Sequence, residues 1–435
     1  MNFKKVKLGD VCRIEKGITG ILKAIPGQYP LVVTGEDRKS HNEFQFDEEA
    51  VIIPLVSGTG HGHASIKRIH YQKGKFALGS ILCAVVPKNN MQLNAEFLYH
   101  FLDLNKEYEL VARMKGMANV TLPLKEIAQV EIPLPPLQEQ LKFVERYKYL
   151  ENHSNGLSTE LTHQLDLVKK LRQQLLQDAV QGKLVPQNPN DEPATELLKK
   201  IKKEKEQLIK AKKYKKDKVI PEVIKQEEIP FAIPDNWVWC RLGELFWVTK
   251  LAGFEYTEHI KLKPSGDIPV VRAQNVKPNK LVEDNLLYID KETSFLLDRC
   301  ALVKKSLLIT FIGAGIGEVA IFDKKERWHL APNVAKAEPY FQSLSIEYIM
   351  WFLLSGFGMD EFMKISKATA QPSLSMGTIR EVCIPLPPIN EQQLIVQKLE
   401  ELMLNCDKLE KSIQNSQAQN EKLLQQVLRE ALQPK

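Results

Sequence analysis

The sequence predicts an α+β protein in which two pseudo-symmetric, mixed α/β domains are joined by two long, antiparallel, coiled-coil-like helices. The main observation is an internal repeat. Residues 132–140, Ile-Pro-Leu-Pro-Pro-Leu-Gln-Glu-Gln, return 252 positions later as Ile-Pro-Leu-Pro-Pro-Ile-Asn-Glu-Gln at 384–392. The offset then holds to the last residue, so that 132–183 maps onto 384–435 without a gap. Repetition on this scale indicates duplication of a whole structural unit.

The segments in front of the two repeats also correspond, but less strictly. Leu-Gly-Asp-Val at 8–11 is similar to Leu-Gly-Glu-Leu at 242–245, and the spaced glycines at 58–62 are similar to those at 313–317. The offset drifts here from 234 to 255, and most side chains differ. This contrast indicates a common scaffold that presents two different recognition surfaces.

A chain of 435 residues is longer than one hydrophobic core usually fills, which favours two globular domains with helical connectors. The repeats place the boundaries. We predict a first domain at 1–131, a central helical region at 132–184, a connector with a lysine-rich helix at 185–236, a second domain at 237–383 and a C-terminal helical region at 384–435.

Within the first domain, Val- and Ile-rich segments bounded by Gly, Pro and Asn predict strands at 31–34, 50–54 and 80–86. Apolar residues at helical spacing predict a helix from Asn94 to about Met114, with Asn94 as its cap. The corresponding helix of the second domain is predicted from Ser345 to Met363.

Each repeat predicts a helix of about 45 residues, or about 65 to 70 Å, and Gly182 is a good terminator for the first. A helix with one apolar stripe needs a partner, and the two are expected to pack against each other. The alternative is packing on the adjacent domain or on another chain. The predicted packing residues are Leu157, Leu161, Val168, Leu171 and Leu175, and on the second helix Leu409, Ile413, Leu423 and Val427.

The net charge of +6 is unevenly distributed. Residues 199–218 hold eleven lysines against three acidic residues, which leaves the remainder of the chain at about −2. Such a segment fits a polyanionic partner or an ordinary solvated helix face. No apolar run reaches the roughly 18 residues of a membrane span, and Met-Asn-Phe-Lys-Lys lacks the apolar stretch of a secretory signal. We therefore expect a cytoplasmic protein whose six scattered cysteines are reduced packing residues.

The motifs that suggest catalysis are incomplete. Phe-Ile-Gly-Ala-Gly at 311–315 matches the F-x-G-x-G string with which adenine methyltransferases approach S-adenosylmethionine. The (Asp/Asn/Ser)-Pro-Pro-(Tyr/Phe) loop of those enzymes is missing, so a turn explains the glycines better. Neither glycine cluster continues into the Gly-Lys-(Ser/Thr) of a phosphate loop. His61 and His63 have no carboxylate or cysteine at a metal spacing, so no catalytic residue and no metal site are predicted.

Polar segments that follow equivalent strands, or precede the long helices, are better suited to binding DNA. Arg, Asn and Gln read base edges bidentately, while lysines and hydroxyls usually hold phosphates. For any single residue the alternative is an ordinary solvated loop. The candidates are Thr34, Arg38, Lys39, Ser40, His41, His61, Arg113, Lys115 and Asn119 in the first domain, and Arg272, Gln274, Asn275, Lys277, Lys367, Gln371 and Ser373 in the second.

Over essentially its whole length the sequence resembles the specificity subunits of type I restriction-modification systems. The resemblance rests on the paired Ile-Pro-Leu-Pro-Pro-x-x-Glu-Gln segments, on Leu-Leu-Gln-Asp-Ala-Val-Gln-Gly-Lys-Leu-Val-Pro-Gln ending at Gln187, on 190–198 and on Ile-Pro-Phe-Ala-Ile-Pro-Asp-Asn-Trp-Val-Trp at 229–239. It implies two target recognition domains, each reading one half of a split DNA site. It also implies that the helices dock two methyltransferase subunits and set the distance between half-sites.

The resemblance further implies that catalysis belongs to partner chains, so that this chain is not itself an enzyme. S-adenosylmethionine, ATP and Mg are then expected on the partner subunits, among them a restriction and translocase subunit, and no cofactor on this chain. Two domains with unlike surfaces imply an asymmetric, bipartite site in double-stranded DNA. The alternatives are a self-contained DNA adenine methyltransferase and a coiled-coil scaffold that binds only proteins.

Overall fold

The computed structural model describes residues 3–59, 63–117, 119–214, 224–313, 315–365 and 373–432. The chain divides into two compact units. Unit 1 comprises Met1–Gln164 and Ser412–Lys435, and unit 2 comprises Leu165–Lys411. Each unit therefore contains one globular domain together with a part of each long helix.

The domain of unit 1 is built from short strands, most of which form two four-stranded sheets. One sheet has the order β2-β9-β6-β7 and is antiparallel, and another has the order β4-β3-β8-β5, in which β3 and β8 are parallel. The strand β1 pairs with β10. The strands are β1 (Lys5–Lys7), β2 (Cys12–Lys16), β3 (Tyr29–Val32), β4 (Lys39–His41), β5 (Phe46–Asp47), β6 (Ala50–Pro54), β7 (His70–Gln72), β8 (Lys75–Leu78), β9 (Leu82–Pro87) and β10 (Glu131–Pro133).

The β2-β9-β6-β7 sheet is covered on both faces, which explains why β6 and β9 are apolar at nearly every position. On one face Val51, Ile53 and Val85 pack with Phe97 and Phe101 of the following helix. The opposite-facing residues of the same strands join the core of the β4-β3-β8-β5 sheet. The helices of this region are α1 (Leu8–Val11), α2 (Ala95–Leu104), α3 (Lys106–Glu109), α4 (Leu124–Ala128) and α5 (Leu137–Val180).

The helix predicted from Asn94 to Met114 is shorter than expected. Asn94 does cap α2, since its side-chain oxygen accepts a hydrogen bond from the Phe97 backbone N–H at 2.8 Å. At Asn105 the backbone leaves the helical region, and the Asn105 side chain donates to the Phe101 carbonyl at 2.8 Å. An asparagine that bonds the local backbone competes with helix continuation, so the segment proceeds as α3 and a short 3-10 turn.

Unit 2 repeats this topology. The sheet order β12-β21-β18-β19 matches β2-β9-β6-β7, and β16-β13-β20-β17 matches β4-β3-β8-β5, including the parallel pair β13 and β20. The pairing of β11 with β22 matches that of β1 with β10, and the pair β14-β15 is added. The strands are β11 (Val238–Arg241), β12 (Phe246–Lys250), β13 (Ile268–Val271), β14 (Val276–Lys277), β15 (Lys280–Leu281), β16 (Leu287–Ile289), β17 (Ala301–Leu302), β18 (Ser306–Thr310), β19 (Val319–Phe322), β20 (Trp328–Leu330), β21 (Val334–Pro339) and β22 (Cys383–Leu386).

The predicted helix at 345–363 is also divided in two. Ser345 caps its start by accepting from the Tyr348 N–H, and the break falls at Ser355, whose hydroxyl donates to the Phe352 carbonyl at 2.6 Å. The Gly358 N–H then donates to that hydroxyl at 3.2 Å. The helices of unit 2 and the C-terminal helix are α6 (Ala194–Lys210), α7 (Leu242–Leu245), α8 (Gly253–His259), α9 (Lys291–Leu296), α10 (Ile346–Leu354), α11 (Gly356–Ile365), α12 (Met376–Glu381) and α13 (Ile389–Leu432).

The two long helices, α5 and α13, each contain 44 residues and run antiparallel, as predicted. In unit 1, Asn420 donates to the Ser158 hydroxyl at 3.0 Å, whereas Gln417 lies 3.4 Å from the Thr162 hydroxyl. The partner of a later residue on α5 is therefore an earlier residue on α13, which shows that the two helices run in opposite directions. In unit 2, Arg172 of α5 forms ion pairs with Asp407 at 2.7 Å and Glu410 at 2.9 Å.

The predicted apolar stripe contributes only in part to this packing. Leu161 and Val168 are buried, Leu175 is partly buried, and Ile413 is half-buried. The expectation for four other leucines is wrong, because between 43% and 61% of each remains exposed. Polar pairs such as Asn420 with Ser158 occupy part of the seam instead, and the side chain of Val427 lies outside the described residues. The exposed four are Leu157, Leu171, Leu409 and Leu423.

The first long helix ends as its glycine predicts. Gly182 has a φ of 71°, which is the left-handed region that favours glycine. The Lys183 N–H donates to the Asp178 carbonyl at 2.8 Å and the Gly182 N–H to the Ala179 carbonyl at 3.4 Å. These two bonds form a Schellman motif, which satisfies carbonyls at the helix end.

The glutamine of the repeated Glu-Gln pair at the start of each long helix has a structural role. Gln140 is fully buried, and its side-chain oxygen accepts from the Asn94 N–H at 2.8 Å. Its amide nitrogen donates to the carbonyls of Gln92 at 2.9 Å and Pro135 at 2.8 Å. This one side chain therefore ties the start of α5 to the start of α2.

Gln392 makes the same connection in unit 2. Its oxygen accepts from the Ser345 N–H at 3.1 Å, and its nitrogen donates to the Pro387 carbonyl at 2.8 Å. Because the same bonds occur in both units, the motif holds a long helix at a fixed angle to its own domain. That role requires an uncharged amide with both a donor and an acceptor.

Replacing Gln140 with alanine is expected to lower the free energy of unfolding by about 3 kcal/mol, because one buried and two partly buried hydrogen bonds to the backbone are lost. The measurement is urea unfolding followed by circular dichroism. Gln138, two residues earlier and exposed, is the matched control, and its replacement by alanine should change stability by no more than about 0.5 kcal/mol. Equal effects of the two substitutions would contradict the assignment.

The connector is packed against the domain of unit 2. Leu197 and Ile201 of α6 are buried in that domain's core, while Lys202 pairs with Glu244 at 2.9 Å. Beyond α6, the buried Tyr214 donates its hydroxyl proton to Glu338 of β21 at 2.8 Å. The lysine-rich helix of the connector therefore has an apolar face, and that face is buried against the domain of unit 2.

Candidate nucleic-acid interface

Three of the predicted polar segments approach one another in the domain of unit 1. The loop after β6 lies beside the segment that precedes α4, joined by a bridge between Val56 and Thr121. The Ser57 N–H donates to the Val120 carbonyl at 3.0 Å and the Leu122 N–H to the Leu55 carbonyl at 2.9 Å. The loop after β3 lies next to the loop after β6, because Thr34 and Ser57 line the same cavity.

The corresponding segments of unit 2 are paired in the same way. A bridge joins Ile312 to Ser373, and the Leu374 N–H donates to the Phe311 carbonyl at 3.0 Å. In both domains, therefore, the glycine-rich loop and the segment in front of the long helix form one edge. Sequence analysis placed candidate residues in the segments before the long helices and, in unit 1, also in the glycine-rich loop, without being able to show that these segments meet.

The glycine-rich loop of unit 2 is a tight turn, as the incomplete motif suggested. Gly313 and Gly317 have φ values of 104° and 83°. The Gly317 N–H donates to the Thr310 carbonyl at 2.9 Å, and Phe311 is fully buried. Glycines at these positions are required by backbone conformation, so the resemblance to a methyltransferase motif is explained by the turn.

A cavity of about 510 Å³ opens at this edge of unit 1. Its polar lining consists of Thr34, Ser57, Lys67 and Arg68. Among these, Thr34 was predicted, and it is exposed at the end of the β3 strand. The Thr34 hydroxyl and the two cations at a cavity of this size fit an acceptor-rich, anionic ligand.

The Arg38 side chain is held against the loop after β3 by hydrogen bonds. Its guanidinium donates to the Gln72 side chain at 3.0 Å and the Glu36 carbonyl at 3.1 Å, and lies 3.2 Å from Nδ1 of His70. Burial lowers the pKa of His70 to about 4, with the charges of Arg38 and Arg68 as further causes. His70 is therefore neutral near pH 7 and accepts from Arg38 at that nitrogen.

The next three candidates lie on β4, at an edge of the sheet. Lys39 and Ser40 are exposed and face Leu31 and Pro30 across the ladder. His41 is half-buried, and its Nδ1 is 3.1 Å from the Ile25 carbonyl. Lys39 and Ser40 thus remain available to a ligand, whereas His41 is partly engaged.

In the segment before α4, two basic candidates already have acidic partners. Arg113 donates to the Glu109 carbonyl at 2.9 Å and forms a weak ion pair with its carboxylate. Lys115 is 2.6 Å from Glu126. Asn119 is exposed, so the prediction that it contacts DNA stands as a prediction. His61 lies outside the described residues.

In unit 2 the structure corrects one prediction. Asn275 is fully buried, and its amide donates to the carbonyls of Val282 at 3.0 Å and Asp284 at 3.1 Å. Its oxygen accepts from the Arg272 N–H at 3.1 Å. With every amide hydrogen-bonding group used inside the loop, Asn275 shapes the loop and has nothing left for a base edge.

The neighbours of Asn275 are better placed. Gln274 is exposed, and the Arg272 guanidinium is anchored on the Asn285 carbonyl. Lys277 is exposed and lies 3.5 Å from Glu318, next to the glycine turn. Ser373 is half-buried at the paired edge, and Lys367 and Gln371 lie outside the described residues.

Sequence analysis missed Lys67 and Arg68. They lie in an irregular segment between β6 and β7 and carry no motif. Their approach to Thr34 depends on how the chain returns from the glycine loop, where the Gly58 N–H donates to the Ser65 carbonyl at 2.9 Å. The adjacent basic pair was the only signal in the sequence, and it is a weak one.

Comparison with known proteins identifies the family. A family model described as the type I restriction modification DNA specificity domain matches residues 1–167 and 234–417. The chain is 30% identical over 329 residues to the type I restriction enzyme EcoAI specificity subunit of Escherichia coli, covering 64% of this chain and 54% of that protein. It is 32% identical over 264 residues to the EcoEI specificity subunit of the same species, covering 58% and 43%.

A solved structure shows the same fold. A chain from a type I restriction-modification system, reported for its complex assembly and conformational transition, superimposes with a TM-score of 0.65 at 14% identity and covers 100% of this chain and 98% of that one. The chain therefore belongs to the type I DNA specificity domain family, and it spans about half the length of the first two curated relatives. No helix in the described ranges is both long and apolar enough to cross a membrane.

Proposed function

We propose that this chain is the DNA sequence-recognition and assembly subunit of a type I restriction-modification enzyme. Each globular domain reads one half of an asymmetric, bipartite site in double-stranded DNA. The observation that carries this proposal is a single strand order built twice, with unlike side chains at the same edge. Thr34, Lys67 and Arg68 line a cavity at this edge in one domain, and Lys277 lies beside Glu318, next to the glycine turn, in the other.

The long helices would dock two methyltransferase subunits and set the separation of the half-sites. Support comes from the exposed leucines of α5 and α13. Leu157 and Leu423 lie at similar levels of the helix pair in unit 1, and Leu171 and Leu409 do so in unit 2. The second pair repeats the first at the 252-residue offset, so each unit would offer one equivalent pair of exposed leucines to one partner.

Catalysis would belong to the partner subunits. The methyltransferase subunits would carry S-adenosylmethionine, and a restriction and translocase subunit would carry ATP and Mg. The structural role of the Phe-Ile-Gly-Ala-Gly turn supports this division, since its glycines serve a tight backbone turn. We expect the chain to act in the cytoplasm, where its DNA substrate is found.

The test is methylation mapping by single-molecule sequencing of DNA from cells that express this chain with its cognate methyltransferase subunit. A methylated-adenine motif of two unlike halves, absent from cells with the methyltransferase subunit alone, is expected. Exchanging residues 1–131 for the matching domain of a relative should change one half of the motif and leave the other half and the spacer unchanged.

Three results would contradict the proposal. A change in both halves after the exchange would reject independent reading by the two domains. The absence of any chain-dependent motif, with both proteins expressed and associated, would favour a scaffold that binds only proteins. Methyl transfer by the purified chain alone would favour the self-contained methyltransferase.

A further inference from the structure

We infer that Arg68 reads a guanine in the half-site bound by the first domain, and that the neighbouring Lys67 holds a backbone phosphate. This inference rests on the proposed function and adds to it a division of labour within the cavity at Thr34. It concerns two residues outside the segments that the sequence motifs indicated.

The cavity is braced so that both side chains have defined positions. The Ser57 hydroxyl donates to the His63 carbonyl, and the Gly58 N–H donates to the Ser65 carbonyl at 2.9 Å. A Cβ at Gly58 would lie 3.1 Å from Cγ of Lys67, so the lysine stem passes directly over this glycine. Bracing of this kind holds a recognition loop in place before its ligand arrives.

Arg68 has a partner that DNA could replace. Its guanidinium forms an ion pair at 2.9 Å with Glu36, and 81% of the glutamate side chain is exposed. An ion pair so open to water contributes little stability. The charge of Arg38 lies close enough to affect the same His70, so two guanidinium groups share one neighbourhood and favour an incoming acceptor.

The two cations differ in what they fit. Arg68 is the less exposed of the two, with 40% of its side chain exposed, and it lines the cavity together with the buried Ile66. Its planar fork matches the paired O6 and N7 acceptors of guanine. Lys67 lines the same cavity and is exposed to solvent, and its mobile point charge suits a phosphate.

The experiment uses the assembled complex with the methyltransferase subunit and the duplex found by methylation mapping. Fluorescence anisotropy would measure Kd for that duplex and for duplexes with each base pair of the first half-site replaced in turn. For Arg68→Ala we expect discrimination to fall about 5- to 150-fold at one G·C pair and to stay unchanged elsewhere. Arg68→Lys should behave likewise, because it keeps the charge and loses the fork.

For Lys67→Ala we expect weaker binding to all duplexes alike, with the slope of log Kd against log salt reduced by about one. Arg13→Ala is the matched control, because Arg13 also pairs with a surface glutamate of this domain, Glu48, and neither residue lines the cavity at Thr34. It should leave discrimination unchanged.

A uniform loss of affinity in Arg68→Ala would overturn the inference by making Arg68 a phosphate contact, and so would unchanged discrimination. Either result leaves the proposed function standing, provided that the wild-type complex discriminates in both half-sites. A wild-type complex without such discrimination would instead reject the proposed function, and the inference with it.

Discussion

If the chain docks two methyltransferase subunits as proposed, replacing Leu157 and Leu423 together with aspartate is expected to leave one of them in the complex. Both leucines lie in unit 1 and are about half exposed. If each is covered by a partner, the lost apolar burial and the desolvation of two carboxylates would weaken that contact by about 3 kcal/mol, or at least about 100-fold in Kd. Native mass spectrometry of the purified complex would count the subunits.

The repeat supplies the companion experiment. Leu171→Asp with Leu409→Asp changes the equivalent patch of unit 2 and should also leave one methyltransferase subunit, while all four substitutions should leave none. Leu167 is the matched control. It is 48% exposed, but its counterpart at the 252-residue offset is the polar Gln419, so no second patch repeats it, and Leu167→Asp should retain both subunits.

These substitutions should leave the chain folded. Exposed positions of a helix tolerate most changes within about 0.5 kcal/mol, and aspartate has a modestly lower helix propensity than leucine. Unchanged circular dichroism would verify this. Retention of two methyltransferase subunits by the fourfold variant would show that the patches are not the docking surface.

Sequence analysis predicted the duplicated fold because duplication leaves a mark that survives divergence of the side chains. The offset of 252 residues fixed the two long helices, and antiparallel packing followed from each having an apolar stripe. The stripe itself was less informative. Leu157 and Leu161 look alike in a list of spacings, yet one is 47% exposed and the other 6%, because polar pairs complete the seam.

The candidate site was predictable in its segments but not in its residues. Strand ends and glycine turns are local features, so the loops after β3 and β6 could be recognised from composition. Whether a side chain points outward depends on contacts made at a distance. Asn275 illustrates this, because its amide donates to carbonyls seven and nine residues further on and is buried. Arg68 illustrates the opposite, because it carries no sequence motif and yet lines the cavity at Thr34.

The comparison of the two domains also reveals a buried ionic network in unit 2 at positions that carry apolar residues in unit 1. At the positions of Ala84 and Val86 in β9, the strand β21 carries Lys336 and Glu338, both nearly fully buried. The lysine donates to Glu338 at 2.7 Å and to the Ala301 carbonyl at 2.6 Å. Tyr214 of the connector donates to the other oxygen of Glu338 at 2.8 Å.

Removing one member of this network should be far more damaging than removing all of it. Glu338→Ala leaves the Lys336 charge buried without its carboxylate, and we expect the free energy of unfolding of unit 2 to fall by about 3 to 5 kcal/mol. The triple variant Lys336→Ala, Glu338→Val and Tyr214→Phe restores the apolar pair of the first domain. It should recover most of that loss, because well-packed apolar groups replace buried ion pairs at little cost.

Tryptophan fluorescence is a suitable measurement, because all five tryptophans fall in unit 2 and the Trp247 ring stacks on Tyr214 with centroids 4.7 Å apart. Tyr214→Phe alone should cost about 1 to 2 kcal/mol, since one charge-assisted hydrogen bond is lost. If the triple variant proved as unstable as Glu338→Ala, the network would be required by the packing of this domain. If it proved stable, apolar packing of the kind that Ala84 and Val86 give the first domain would be sufficient in unit 2 as well, and neither the ion pair nor its bond to Tyr214 would be needed for stability.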